Sequence, residues 1–315
     1  MLPCPRGFIM KVAPLTFPLQ EASLRESYAQ LLPSSLHSCL NGLDPFEIQS
    51  PVFGIGLVEQ EQPVGIILAT AHLQIHTAHI HSLNLDKHHA NPRLARLLLE
   101  EMSRLLASLS TTLATFSYIQ ESPMASLLEK VFLEQKWQGP RPLIIECLFK
   151  RSDFNLQWWQ SKNITLAEGF EELLFKKITH KERQDLMHRQ EQMSIPDYIF
   201  PLGREKNLIE YENSLALRYK QRIVGWMITH RTAPEVIRYS ALYLEDDFSH
   251  TGYWLKLLID ALNIHSTMAN AHYGLLEINL DQISRSWRKF IERRLFPQTS
   301  QISHHHSFWK DFNNH

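Results

Sequence analysis

The chain reads as an α/β protein built on mixed sheets, and the fold occurs twice. Three observations carry that expectation. Short apolar, β-rich runs alternate with segments whose apolar residues recur at helical spacing. The order strand, strand, strand, helix, strand, helix is completed once before residue 150 and again after it. Landmarks in the two passes also keep one offset: Gly65 and Gly225 are 160 residues apart, while Leu85 and Leu244, and Trp137 and Phe296, are each 159 apart. Self-similarity at a fixed offset marks an internal repeat. Two domains of one fold are therefore expected, 1–150 and 151–315, with two unrelated α+β domains as the competing reading.

The elements follow in order. Ser23-x-x-Glu26 is a capping-box pattern that opens a helix carrying Leu24, Tyr28, Leu31 and Leu32, and Pro33 closes it. Val52–Val58 and Pro63–Ala71 form a hairpin about the polar turn 59–62. His79–Leu85 is a strand, and Pro92 stands where a first-turn proline belongs, ahead of a helix over Arg93–Leu109. Thr115–Ile119 is a short strand, Pro123–Gln135 a helix and Pro142–Phe149 an apolar strand. Residues 151–205 are charged and helical in period, and Thr179-x-x-Glu182 is a second capping box opening a helix to about Gln192. The pattern then resumes: strands at Ser214–Tyr219, Ile223–His230 and Ile237–Leu244, a helix at Gly252–Leu262, a strand at Tyr273–Asn279 and a helix at Ile283–Arg294. His304–His306 reads as part of an aromatic and polar tail.

Composition narrows the class. Lys and Arg number 32 against 33 Asp and Glu, a net charge of −1, which argues against a chain whose main task is gripping nucleic acid. With 44% hydrophobic residues the chain can bury a core, so disorder throughout is excluded. Three cysteines, Cys4, Cys39 and Cys147, are odd in number and far apart; they fit a reducing cytosol rather than a disulfide framework or a zinc module. No apolar stretch approaches the roughly 18–20 residues of a membrane span. Prolines interrupt Met1–Leu19, so no signal peptide is expected there.

In each repeat a strand ends in a polar loop that opens a helix. Unpaired N–H groups and the positive end of the dipole make such a helix start suited to a phosphate. The second junction runs Ala241-Leu-Tyr-Leu244-Glu-Asp-Asp-Phe-Ser249-His-Thr-Gly252-Tyr-Trp254; the first runs Leu83-Asn-Leu85-Asp-Lys-His-His-Ala90-Asn-Pro-Arg93-Leu-Ala95. These stretches resemble the GCN5-related N-acetyltransferase (GNAT) superfamily, whose hallmark is a strand ending in Val-x-Pro and then Arg/Gln-x-x-Gly-x-Gly/Ala at the next helix start. Leu244 takes the place of the strand-ending Val, and Gly252 falls on the first signature glycine. Ile223-Val-Gly-Trp-Met-Ile-Thr-His230 looks like the family's third strand. Neither loop is complete. Arg93 replaces that glycine in the first copy and Ala90 the Arg/Gln, while Ser249 and Trp254 stand at the Arg/Gln and small positions of the second.

The resemblance implies two tandem acyl-CoA N-acyltransferase-like domains, with acetyl-CoA or another acyl-CoA as co-substrate and an amine, small or peptidic, as acceptor. It places coenzyme A on Leu242, Leu244, Ser249, His250, Thr251, Gly252, Tyr253 and Trp254 of the second copy, the first being degenerate. Many family members carry a Tyr acid five residues before the aromatic that follows the last helix. Here those positions are Phe132 and Ile291, so the acid is absent or comes from Tyr243, Tyr253 or Tyr273. Glu245 is the expected base, beside Asp246, Asp247 and His250, although an acidic trio is as readily a solvated loop. Two other functions fit the same chain: a non-catalytic ligand-binding or interaction module, and an aminoacyl transferase drawing on aminoacyl-tRNA.

His72, His76, His79, His81, His88 and His89 crowd one region, and His79 and His81 share a strand face, yet no ligand spacing completes a site and no metal is expected. Trp158-Trp159 reads as a plug at the domain seam, and the charge run 180–192 as an exposed helix face.

Overall fold

The structure is a computed structural model that describes residues 10–44, 50–155, 164–193, 195, 199–203, 205–281 and 283–313. In chain order the strands are β1 (Met10–Leu15), β2 (Val52–Glu59), β3 (Gln62–His72), β4 (Thr77–Leu85), β5 (Leu113–Ile119), β6 (Gln138–Lys150), β7 (Phe170–Leu174), β8 (Leu215–Tyr219), β9 (Arg222–Ala233), β10 (Val236–Leu244), β11 (Tyr273–Asn279) and β12 (Gln301–Asp311). The helices are α1 (Ala22–Ala29), α2 (Pro92–Ser108), α3 (Ala125–Glu134), α4 (His180–Met193), α5 (Tyr253–Thr267) and α6 (Arg285–Arg294). The pair Trp158-Trp159 lies outside the described residues.

Two compact units result. One holds the described residues up to Leu143 together with those from His304 onward, the other Ile144–Ser303. The first orders its strands β1-β2-β3-β4-β5-β12, the second β6-β11-β10-β9-β8-β7. Each is an antiparallel meander with one parallel pair, β4 with β5 and β10 with β11. The pairing divides the chain differently from a cut after residue 150. Ile144–Lys150 of β6 pairs with β11, and His305–Asp311 of β12 pairs with β5. Strand membership follows the ladder of backbone hydrogen bonds, and chain continuity does not reveal it. His304–His306 is accordingly strand rather than tail, with the amide of His304 donating to Glu121.

The repeat is visible in the turns. Gln60-Glu61 and Lys220-Gln221 each place two successive residues at positive φ, 48° and 68° in the first hairpin and 46° and 67° in the second, the primed turn that matches strand twist. Helix signals had mixed outcomes. Thr179 and Glu182 form the reciprocal box, with Thr179 N donating to Glu182 Oε2 at 2.7 Å and Glu182 N to Thr179 Oγ1 at 3.2 Å. Ser23 and Glu26 do not, because α1 begins at Ala22 and Ser23 is already inside its first turn. Asn91 caps α2 by accepting from Leu94 N, with Pro92 at N1 as expected. The segment after residue 151 also contains strand β7 where helix was expected; its Glu171 and Glu172 hide the short Phe170–Leu174 pattern.

Apolar periodicity builds the cores. Ala95, Leu98, Leu99, Met102 and Leu106 line the buried face of α2. In the second unit α5 buries Leu257, Leu258, Ala261 and Leu262 against the sheet. Cys39 and Cys147 are buried free thiols. No described helix is long and apolar enough to cross a membrane.

Candidate functional site

In the second unit β10 and β11 are paired only from Val236–Tyr239 to Tyr273–Leu276, although β10 runs on to Leu244 and β11 to Asn279. A register shift between Tyr239 and Ala241 accompanies the divergence. The parallel strands therefore splay, and a cleft of about 730 Å³ occupies the gap.

Strand alternation gives the two sides of this cleft different chemistry. Tyr239, Leu242, Leu276 and Ile278 face the core shared with α5 and α6, where Leu258, Trp287 and Ile291 complete an apolar wall. Arg238, Ser240, Glu277 and Asn279, offset by one along the strands, line the opposite mouth together with Glu205. Arg238 ties this polar mouth together. Its guanidinium pairs with Glu205, lies 3.6 Å from Glu277 and donates from Nε to Ser240 Oγ at 3.0 Å. Ser240 Oγ in turn meets His230 Nδ1 at 2.7 Å. Burial holds the His230 imidazole down at about 4, so the ring is neutral near pH 7.

A second cleft, of about 450 Å³, shares Leu242 and Trp287 with the first and is completed by Leu244, Ser249, Trp254, Ser284 and Phe290. Its wall is aromatic: Trp254 meets Trp287 edge-on at 4.7 Å, and Trp287 stacks on Phe290 at 5.0 Å. At its rim the chain turns into α5 through Gly252, at φ 78°, the left-handed region that glycine tolerates. A Cβ there would meet only Ile164, at 4.0 Å, so this face of the turn is open. Thr251 Oγ1 accepts from Tyr253 N, and the Tyr253 hydroxyl accepts from Ala167 N at 3.0 Å.

The expected site residues thus separate. Leu242, Leu244, Ser249 and Trp254 are brought together, Thr251, Gly252 and Tyr253 shape the turn, and His250 is exposed on its outside. Tyr243 and Glu245 line neither cleft. Tyr243 stacks on Trp226 at 4.4 Å. Glu245, only 5% exposed, is gripped by Arg189 at 2.5 Å and Arg222 at 2.7 Å. Burial raises its carboxyl above the usual carboxylate range, and the two guanidiniums pull the other way. The polar mouth was overlooked in the sequence, although Arg238-x-Ser240 inside an apolar strand is a period-two signal that could have found it.

The corresponding junction of the first unit is closed on itself. Asn91 caps α2, and His89 bridges Glu59 at 3.0 Å and Asp86 at 3.3 Å, which sets two carboxylates where an anion would approach. The pair His230–Ser240 has a counterpart 159–160 residues earlier with its partners exchanged, Thr70 Oγ1 lying 2.9 Å from His81 Nε2. His79 meets Thr115 Oγ1 at 2.9 Å. Among the described residues no group of three His, Cys, Asp or Glu could hold a metal ion.

Two parallel strands that part ahead of a helix start occur in both units, β4 with β5 and β10 with β11, with a glycine turn at the second junction alone. The fold is that of the tandem GNAT proteins. A tandem GNAT protein from the clavulanic acid biosynthesis pathway superposes with a TM-score of 0.64 at 9% identity, covering 96% of this chain and 98% of that one. A GCN5-related N-acetyltransferase from Sphaerobacter thermophilus gives 0.61 at 13% identity, covering 98% and 96%. A GCN5-related glucosamine N-acetyltransferase region of a fungal multi-domain β-N-acetylglucosaminidase gives 0.65 at 10% identity, over 96% of this chain and 38% of that one. No protein-family model matches the sequence, nor does any curated protein.

Proposed function

We propose that the chain is an acyl-CoA-dependent N-acyltransferase whose donor site is the paired cleft of the second unit. The carrying observation is the splay of β10 from β11 into a cleft that is apolar toward α5 and α6, polar on the other side, and adjoined through Leu242 and Trp287 by a second cleft whose Ser249 and Trp254 flank the open turn at Gly252. In such a reaction the amine nitrogen bonds to the thioester carbonyl carbon, the carbon–sulfur bond breaks, and the amine gives up a proton as the thiolate gains one. The residues present suit the donor: the α5 start and Gly252 turn for the pyrophosphate, Leu242 and Leu244 beside the pantetheine arm. The acceptor enters the polar mouth, where two carboxylates face one guanidinium and favour a cationic amine. On this reading Glu277, which lines the cleft, takes the amine proton, while Glu245 is held by Arg189 and Arg222.

Calorimetry with coenzyme A and acetyl-CoA tests this. Binding is expected, lost in Gly252→Arg and retained in Arg93→Glu; no binding at high micromolar concentration overturns it. A second reading, a non-catalytic acyl-CoA-binding protein, is favoured by Ile291, apolar and 2% exposed where the resemblance puts the acid. Binding without turnover across a panel of amines would decide for it.

A further inference from the structure

We propose, resting on the coenzyme A reading of this cleft, that Ser240 is a nucleophile that holds the acyl group as an ester between donor and amine, with His230 as its base. Ser240 is the first residue of β10 beyond the last β10–β11 pair, Tyr239 with Leu276, so it stands where the two strands begin to part. It is also the bulged residue of the β9–β10 ladder: Tyr239 faces Thr229 and Ala241 faces Ile228, which leaves Ser240 without an opposite number. A bulge re-aims a side chain. This one is partly exposed and lines the larger cleft.

The groups around the hydroxyl activate it. The Arg238 guanidinium can only donate, so Ser240 Oγ accepts from its Nε at 3.0 Å. The hydroxyl hydrogen then goes to His230 Nδ1 at 2.7 Å, the Arg238 carbonyl at 3.4 Å being the more distant acceptor. Glu205 lies 3.8 Å from that same nitrogen, a carboxylate beside the imidazolium as it forms. A hydroxyl aimed at a neutral imidazole that is itself supported by a third group is the arrangement of an activated nucleophile. The first unit departs from it. Its bulged residue is His81, between the pairs Ile80–Ala69 and Ser82–Leu68, and His79 stands 159 residues before Arg238.

In the first half-reaction Ser240 Oγ bonds to the thioester carbonyl carbon and the carbon–sulfur bond breaks. The hydroxyl proton passes through His230 to the departing thiolate. In the second, Glu277 takes one proton from the ammonium, and the freed amine nitrogen bonds to the ester carbonyl carbon. The carbon–oxygen bond breaks, and the proton this nitrogen then loses returns through His230 to Ser240 Oγ. The net transfer is unchanged.

The test needs no acceptor. The full chain is incubated with acetyl-CoA and labelled coenzyme A, exchange of label into acetyl-CoA is followed, and the quenched protein is mapped by peptide mass spectrometry. Exchange is expected, with an acetyl ester on Ser240. Ser240→Ala should abolish exchange while still binding acetyl-CoA by calorimetry, and His230→Gln should slow it at least about a hundredfold with binding retained. A wild-type chain that binds acetyl-CoA without exchanging label transfers directly, which overturns the nucleophile and leaves the coenzyme A reading standing. Exchange that persists in Ser240→Ala, an unchanged rate in His230→Gln, or an acyl group on Cys39, Cys147 or another residue also sinks the proposal. Absence of binding by both coenzyme A and acetyl-CoA overturns that reading and this proposal together.

Discussion

Gly225 lies directly opposite Leu244 in the β9–β10 ladder, and a methyl group on Gly225 would come within 2.8 Å of Leu244 Cδ1 and 2.9 Å of the Tyr243 carbonyl oxygen. Gly65 stands in the same relation to Leu85, at 2.6 Å from Cδ2. The two spacings that revealed the repeat in the sequence are thus the two partners of one packing contact, made once in each unit. Gly225→Ala is expected to lower stability by about 1–3 kcal/mol through overpacking. Equilibrium denaturation measures this, and Leu244→Ala in the same chain should recover only part of the loss because the backbone oxygen remains. An unchanged midpoint would show that the strands can part freely there.

Glu245 and Glu277 should separate cleanly on substitution. Glu245→Ala leaves the buried Arg189 guanidinium with Asp185 and the Ile223 carbonyl but without its buried partner, at an expected cost of about 1–3 kcal/mol. Glu277→Gln alters a carboxylate at the cleft mouth that is 36% exposed on its side chain, so its stability change should stay within about 1 kcal/mol while turnover falls. Denaturation and steady-state kinetics on both variants check this. The reverse pattern would return the base to Glu245.

Acid should unfold the chain through its buried histidines. Burial holds His230 and His265 at about 4 and His81 at about 3, against an ordinary value of 6.5. Between these values the unfolded chain takes up protons that the folded chain refuses. Stability is therefore full above about pH 6.5 and falls with decreasing pH, at up to about 1.4 kcal/mol per pH unit for each histidine. Urea midpoints at about pH 7, 6 and 5 should drop in step, and His265→Gln should flatten the slope. A pH-independent midpoint across this window would contradict the burial of neutral rings.

Trp254 and Trp287 make the smaller cleft optically visible. Coenzyme A is expected to quench or shift intrinsic fluorescence, and Trp287→Ala should weaken donor binding at least about tenfold as the shared wall of both clefts is lost. An unaltered affinity would move the donor away from α6.

The sequence by itself determined the fold class, the two copies and the positions of most strands, because period-two and period-3.6 patterns of apolar residues are local and survive in one dimension. It also located the Leu242–Trp254 stretch that the structure gathers around a cleft and a turn. Three matters were decided only by the tertiary structure. β12 pairs with β5 and Ile144–Lys150 of β6 with β11, since hydrogen-bond ladders are chosen among strands far apart in the chain. Tyr243 and Glu245 share the sheet face of Arg238 and Ser240 but line neither cleft, because Trp226 packs on the one and Arg189 and Arg222 hold the other. And the polar mouth joins Glu205, His230, Arg238, Ser240 and Glu277 from a loop and three strands, a grouping that no spacing within one segment encodes.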